Sequence, residues 1–262
     1  MSKKKSWFRS PVVTGLAFAA AIGLLAFSGI GIARAVPAIR TDNEFTNIAH
    51  ESIGVALQEN GITVAGSDRL LGSLLSQTDG RLVFGKEYDE PLRVVNNGEI
   101  NEYVRVTVRK YWKVPNGTSA NKMTDLKPEQ IHLTLNGQDL YADGFSGNGW
   151  VADPAAKSVD SPETVVLYYT SLLAGGGTPS AEFADKIAVD ASLATAIKTE
   201  TAGNTIRHTY EYNGAAFCLD VTVDAVQEHN AQYTDSSGNN VGAIKSAWGR
   251  DVTVNGGTLT LN

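Results

Sequence analysis

The amino-acid sequence predicts a mainly β protein, an antiparallel β-sandwich with a few short helices, preceded by an N-terminal signal helix. Three observations support this prediction. Residues 1–35 have the layout of an export signal. From Ser52 onward, short runs of strand length alternate with turn-forming residues, which is typical of a sandwich. Segments with helical periodicity are few and short.

The N-terminal segment combines the three parts of a secretory signal. Four basic residues precede an apolar run over residues 11–32, and the run ends in a small-x-small site formed by Ala33 and Ala35. We therefore predict cleavage after Ala35, which makes Val36 the first residue of the exported protein. The alternative is a permanent membrane anchor, because about 20 apolar residues are enough to span a bilayer.

The rest of the chain divides into two predicted parts. Residues 36–50 are weakly patterned and are interpreted as an N-terminal arm or an edge strand. Residues 51–262 form the predicted sandwich domain. The glycine-rich segment 174–179 is interpreted as a loop within this domain, because strand patterns continue on both sides of it.

The charge balance argues against nucleic acid as a partner. The whole chain carries 22 basic and 28 acidic residues, and removal of residues 1–35 takes five basic residues with it, which leaves a net charge of −11. Phosphate contacts need a basic surface. The only cysteine is Cys218, so no intrachain disulfide can form.

Two strands are predicted from their side-chain pattern. Residues 103–109 alternate, so that Val104, Val106 and Val108 share one face and polar residues the other. Residues 164–169 are apolar on both faces, as expected for a central strand.

Three Asn-Gly pairs predict β-hairpins, because both positions of a two-residue type I′ turn need positive φ. The pair Asn213-Gly214 would join strands Thr205–Tyr212 and Ala215–Val223 with their apolar side chains on one face. The pairs at 136–137 and 255–256 predict two further hairpins. Their expected facing residues are Leu133 with Leu140, and Val252 with Leu259.

Helical structure is predicted at three places. Asp190 can cap a helix over Ala191–Thr199, where Ala and Leu dominate. Asp224–Asn230 and Gly242–Trp248 are predicted to form short helical turns.

The sequence contains no catalytic, cofactor-binding or metal-binding motif that we can recognise. His50-Glu51 is not followed by the second histidine of a zinc-protease helix. We interpret His208 as a packed strand histidine and Cys218 as a buried structural cysteine beside Asp220. A pair of carboxylates for sugar hydrolysis is brought together by the fold, so the sequence does not decide whether such a pair exists. We predict no catalytic residue, no cofactor, no metal and no enzymatic activity.

The order of five regions along the chain carries a further indication: Ser52–Gly61, Asn101–Val106 with Lys110–Trp112, Val166–Tyr169, Cys218–Asn230 and Ala243–Gly249. Together these segments resemble the TasA/camelysin family, whose members are exported through a SipW-type signal peptidase in Gram-positive bacteria. The resemblance spans most of residues 11–249.

The resemblance implies a jelly-roll-like β-sandwich and a subunit of the extracellular matrix or cell surface that assembles into biofilm fibres. In the family, an N-terminal strand exposed by signal cleavage completes the sheet of a neighbouring subunit. Here the implied donor is Val36–Ile48, with Ile39, Phe45 and Ile48 inserted. The implied partners are the protein itself or related matrix subunits, and signal peptidase during export. Pro37 departs from the family, because proline cannot donate a ladder hydrogen bond.

Two other functions compete with this expectation. Camelysin relatives suggest a surface metallopeptidase. A monomeric adhesin or carbohydrate-binding module is the other alternative, in which exposed Trp112, Trp150 and Trp248 would stack on sugars. The ordinary interpretation of each tryptophan is that it packs in the core or at its rim.

Overall fold

The structure is a computed structural model, and it describes residues 53–64, 70–72, 74, 78, 82–114, 122–156, 162–202, 205–210 and 215–262. The predicted signal and arm lie outside these residues. The same holds for the residues assigned to them: Ala33, Ala35, Val36, Ile39, Phe45 and Ile48.

Seventeen strands make up about half of the described chain. In order they are β1 (Val55–Glu59), β2 (Ile62–Thr63), β3 (Glu87–Asn96), β4 (Glu102–Lys113), β5 (Lys122–Met123), β6 (Ile131–Leu135), β7 (Gln138–Asp139), β8 (Ser146–Gly147), β9 (Trp150–Ala152), β10 (Thr164–Tyr169), β11 (Thr178–Pro179), β12 (Ala184–Val189), β13 (Ile197–Ala202), β14 (Thr205–Tyr210), β15 (Ala216–Gln227), β16 (Val252–Asn255) and β17 (Thr258–Leu261).

Two antiparallel sheets form the sandwich and confirm the predicted fold class. The first sheet has the order β2-β1-β3-β12-β6-β7, with β11 also paired to β3. The second has the order β15-β4-β10-β9-β8, with β5 also paired to β4. Apolar side chains from both sheets form one buried core between them.

Strand β4 shows why the alternating pattern was informative. Val104, Val106 and Val108 are fully buried in the main core, on the inner face of the second sheet. Strand β10 lies between β4 and β9, so the prediction of a central strand at residues 164–169 is confirmed.

The hairpin predicted at Asn136 is confirmed. Asn136 and Gly137 have φ values of 51° and 78°, as a type I′ turn requires. The backbone N–H of Leu140 donates to the carbonyl oxygen of Leu133 at 3.0 Å, which places the two residues opposite each other as predicted.

The hairpin predicted near Asn255 exists, but its predicted register is wrong. Val254, not Val252, lies opposite Leu259. The two turn residues are Gly256 and Gly257, with φ values of 56° and 81°. Both glycines adopt positive φ without steric cost, so the turn forms one residue later than the Asn-Gly pair suggested.

The strongest sequence signal for a hairpin predicted the wrong strand partner. Strand β14 pairs with β13, and β15 pairs with β4 along its whole length. The turn at Asn213-Gly214 lies outside the described residues. Alternation shows which face of a strand is apolar, but it carries no information about which neighbour supplies the ladder.

Helix predictions were partly correct. The Asp190 carboxylate accepts a hydrogen bond from the N–H of Ser192 at 2.6 Å and caps a 3-10 turn over Ala191–Thr195. The predicted continuation to Thr199 is wrong, because β13 begins at Ile197. A helical turn over Asp224–Asn230 is also wrong, since β15 runs to Gln227.

The predicted helix near the C-terminus is confirmed as α1 (Ala243–Trp248), which Gly249 ends with a φ of 70°. Helix α1 and the β16–β17 hairpin pack on the outer face of the second sheet and form a smaller second core. There Trp248 meets Tyr168 edge to face, with ring centroids 5.4 Å apart. The second sheet is therefore covered on both faces at this end.

The burial pattern of β12 predicts that substitutions of two adjacent residues differ in their effect on the free energy of unfolding. Ile187 is buried between β3 and β6, whereas the side chain of Lys186 is 42% exposed. We expect Ile187→Ala to lower the free energy of unfolding by about 2–5 kcal/mol, because it leaves a cavity in the core. The control Lys186→Ala should change it by no more than about 0.5 kcal/mol. Urea denaturation measures both values, and equal effects would contradict the core assignment.

Candidate functional site

Strand β15 forms one end of the second sheet, and within the described part of the chain its far side is a long free edge. It pairs with β4 over twelve residues, from Ala216 opposite Lys113 to Gln227 opposite Glu102. Among the described strands it has no second partner. The other ends of the two sandwich sheets, among the described strands, are β2, β7 and β8, each only two residues long.

The direction of the unpaired backbone groups follows from one hydrogen bond. The N–H of Glu228 donates to the carbonyl oxygen of Asn101 at 3.0 Å, on the side of β4. Backbone groups alternate in direction along an antiparallel strand. The backbone N–H and C=O groups of the even-numbered residues of β15 therefore point to β4. Those of the odd-numbered residues point to the free edge. Phe217, Leu219, Val221, Val223 and Ala225 are in this set, and Gln227 ends it.

The same odd-numbered residues direct their side chains inward. Leu219, Val223 and Ala225 are buried in the main core, and Phe217 and Val221 pack half-buried against it. Strand β1 of the first sheet packs against β15. A strand that added to β15 would thus lie over an apolar seam between the two sheets.

Gly54 lies directly before β1, in the segment that joins the predicted N-terminal arm to this strand. Its N–H donates to Oε1 of Glu102 at 3.0 Å, and its carbonyl oxygen accepts from the N–H groups of Asn97 and Gly98 at 2.8 Å and 3.0 Å. A Cβ at this position would lie 3.1 Å from the nitrogen of Gly98. The close approach favours glycine, and the chain enters β1 at a fixed point.

Glu102 is a buried carboxyl group at this entry point. Its Oε2 atom is buried and has no hydrogen-bond partner. Burial raises the pKa of Glu102 to about 6, and the hydrogen bond from Gly54 opposes this effect. The charge of Glu102, which is bonded to the residue before β1, therefore changes in weakly acidic solution, near pH 6.

A pair of buried carboxyl groups lies at the other end of β1. Glu90 is fully buried, and neither of its carboxyl oxygens has a hydrogen-bond partner; Oε1 of Glu59 is likewise buried and unpartnered. Burial, and then the neighbouring Glu59, raise the pKa of Glu90 to about 8. The fully ionised pair would place two like charges in a buried site, so Glu90 holds its proton at neutral pH.

Trp112 and Trp150 pack inside the fold, as the ordinary interpretation of a tryptophan predicts, and lack the exposure that the carbohydrate-binding alternative requires. Both are buried, and their indole N–H groups donate to the carbonyl oxygens of Lys127 at 3.0 Å and Ala181 at 2.9 Å. Trp248 is half-buried against the second core. Neither Trp112 nor Trp150 presents a face on which a sugar could stack.

Two other residues singled out from the sequence lie on strands. Cys218 is only half-buried, opposite Tyr111, so the prediction of a buried cysteine is corrected. Its side chain lies on the outer face of the second sheet, where no layer of the main core covers it. The backbone of His208 is paired with Thr199 in the β13–β14 hairpin.

Sequence reasoning missed His132, which lies between two carboxylates. Its Nδ1 and Nε2 atoms are each 3.3 Å from a carboxylate oxygen, of Asp139 and Asp190 respectively. These three residues are separated along the chain, and only the sheet brings them together. Among the described residues, no three His, Cys, Asp or Glu side chains are grouped so that they could hold a metal ion.

Comparisons with protein-family models, with curated proteins and with solved structures return no match. In the described part of the chain, no helix is long and apolar enough to cross a membrane.

The raised pKa of Glu90 predicts a loss of stability with increasing pH. The unfolded chain releases this proton near pH 4.5, whereas the folded protein holds it up to about pH 8. The stabilisation is therefore complete below pH 4.5 and is lost as the pH rises toward 8. Glu102 acts in the same direction only up to about pH 6, so the interval from pH 6 to 8 isolates Glu90.

We expect Glu90→Gln to remove most of the decline in unfolding free energy between pH 6 and 8. Urea denaturation at both pH values measures it. The control Glu87→Gln changes an exposed carboxylate on the same strand and should keep the decline. An unchanged decline in Glu90→Gln would contradict the assignment.

Proposed function

We propose that this protein is an exported structural subunit that assembles outside the cell by strand addition. The arm Val36–Ile48 of one copy would pair with the free edge of β15 in another copy. The unpaired twelve-residue edge of β15 is the observation that carries the proposal. The proposed location is the extracellular matrix or the cell surface, as in the TasA/camelysin proteins that the sequence resembles.

The length and chemistry of the edge support strand addition. Unpaired N–H and C=O groups form a template for another strand, and natural proteins usually keep such edges short or place Lys or Pro on them. Strand β15 has twelve residues and contains neither Lys nor Pro. The arm from Val36 to Ile48 has 13 residues, which matches the length of this edge.

The arm sequence limits the register of the proposed pairing. Ile39 and Phe45 are six residues apart and would share one face of a strand, which suits insertion into the seam beside β15. Ile48 would lie on the opposite face of a regular strand. Pro37 has no N–H and suits the first position of a strand, so the ladder would begin after it.

Deletion of the arm tests the proposal directly. We expect the exported form, residues 36–262, to form filaments that electron microscopy detects. A variant that lacks Val36–Ile48 should remain monomeric, because its donor is missing, while the sandwich still unfolds cooperatively. Filaments that persist in the deletion variant would exclude the arm as the donor.

A substitution on the free edge of β15 tests whether this edge receives the arm. The N–H of Val221 points to the free edge, so Val221→Pro should remove one donor for an incoming strand without breaking the ladder to β4. We expect this variant to lose filaments in the same assay. The control Val221→Ala loses a similar apolar contact but keeps the N–H, and it should still assemble. Equal assembly of both variants would argue against pairing at this edge.

A further inference from the structure

A cavity of about 700 Å³ lies beside the β6–β7 hairpin and strands β9 and β10. This volume is in the range of sites that hold small organic molecules. Much of its wall is apolar and includes Phe145, Val151, Ala152, Pro154, Val165 and Val166.

Lys110 is one of the residues that line this cavity. It follows Val108 on the inner face of β4, and the residue is only 2% exposed. The Nζ atom donates to the carbonyl oxygen of Ile131 at 2.6 Å and lies 3.8 Å from the centre of the Tyr141 ring.

These contacts leave the ammonium group incompletely satisfied. An ammonium group has three N–H donors. One reaches Ile131, one can face the Tyr141 ring, and no protein acceptor in the described residues takes the third. No carboxylate in this part of the chain forms an ion pair with Lys110, although buried charges are normally paired.

Two of the carboxylates that line the cavity have other partners. Asp139 accepts from the N–H of Tyr141 at 2.8 Å and lies 3.3 Å from His132. Asp153 forms an ion pair with Arg250 at 3.0 Å. Neither forms an ion pair with the ammonium group.

We infer that the cavity binds a ligand with an apolar body and a carboxylate head, and that the carboxylate pairs with the ammonium group of Lys110. The apolar wall accommodates the body. The carboxylate head would accept the third N–H of Lys110 and would supply the negative charge that pairs with its ammonium group. This inference does not depend on whether the protein assembles.

A carboxylate ligand would change the electrostatics at Lys110. Burial lowers the pKa of Lys110, and Asp139 and Glu129 oppose that effect from a distance. A bound carboxylate would favour the charged form much more strongly, because it would lie in direct contact.

Three probes with the same chain separate recognition of the head from simple apolar binding. Calorimetry at pH 7 with decanoate, decanol and decylamine should show at least tenfold tighter binding of decanoate than of decanol, and no detectable binding of decylamine. Equal binding of decanoate and decanol would overturn the role of the carboxylate. Tighter binding of decylamine would mean that the acidic residues around the cavity select a cation instead.

Three variants locate the binding. Lys110→Met keeps an apolar stem and should lose the preference for decanoate while decanol still binds. The control Lys113→Met removes a lysine from the same strand outside the cavity and should behave as wild type. Ala142→Trp narrows the cavity and should weaken both ligands. Decanoate binding that is unchanged in Lys110→Met would overturn the inference; circular dichroism checks that each variant is folded.

Discussion

The twelve-residue ladder between β4 and β15 is the interaction on which the rest of the structure depends. It makes β4 an interior strand, with β10 on its other side, and it orients both faces of the second sheet. The inner face supplies Val104, Val106 and Val108 to the main core. One side of β15 pairs with β4, and no other described strand pairs with β15, so its other side is the free edge.

The same ladder sets the positions of two charged residues at opposite ends of β4. Glu102 begins the strand and holds the N–H of Gly54, while Lys110 lies eight residues further on and reaches the carbonyl oxygen of Ile131 in the first sheet. Both side chains link the two sheets through hydrogen bonds to backbone. Burial of these two polar side chains lowers the stability of the fold unless each of them has hydrogen-bond partners, as for any polar group in a protein core.

The sequence predicted those features that depend on local chemistry. Alternation identified β4, the Asn136 turn followed from positive φ, and Asp190 was recognised as a cap. It failed where partners are chosen in space: β15 pairs with β4 and not with β14, because a strand with one apolar face fits any neighbour of the same pattern. The buried carboxyl groups were missed for the same reason, since nothing near Glu90 in sequence shows that Glu59 lies beside it.

The four ends of the two sheets make the edge of β15 difficult to explain as an incidental feature. Three of these ends, in the described part of the chain, are strands of two residues, which offer almost no template for pairing. A protein selected only to stay monomeric would need the same protection at the fourth end, where a long edge invites aggregation. Instead the fourth strand is among the longest in the fold, its free N–H groups belong to residues with apolar inward side chains, and it lies against β1, the strand that the arm leads into. Under the proposed strand addition, the receiving edge and the strand into which the donor arm leads would belong to one molecule, which is the geometry that a head-to-tail assembly requires.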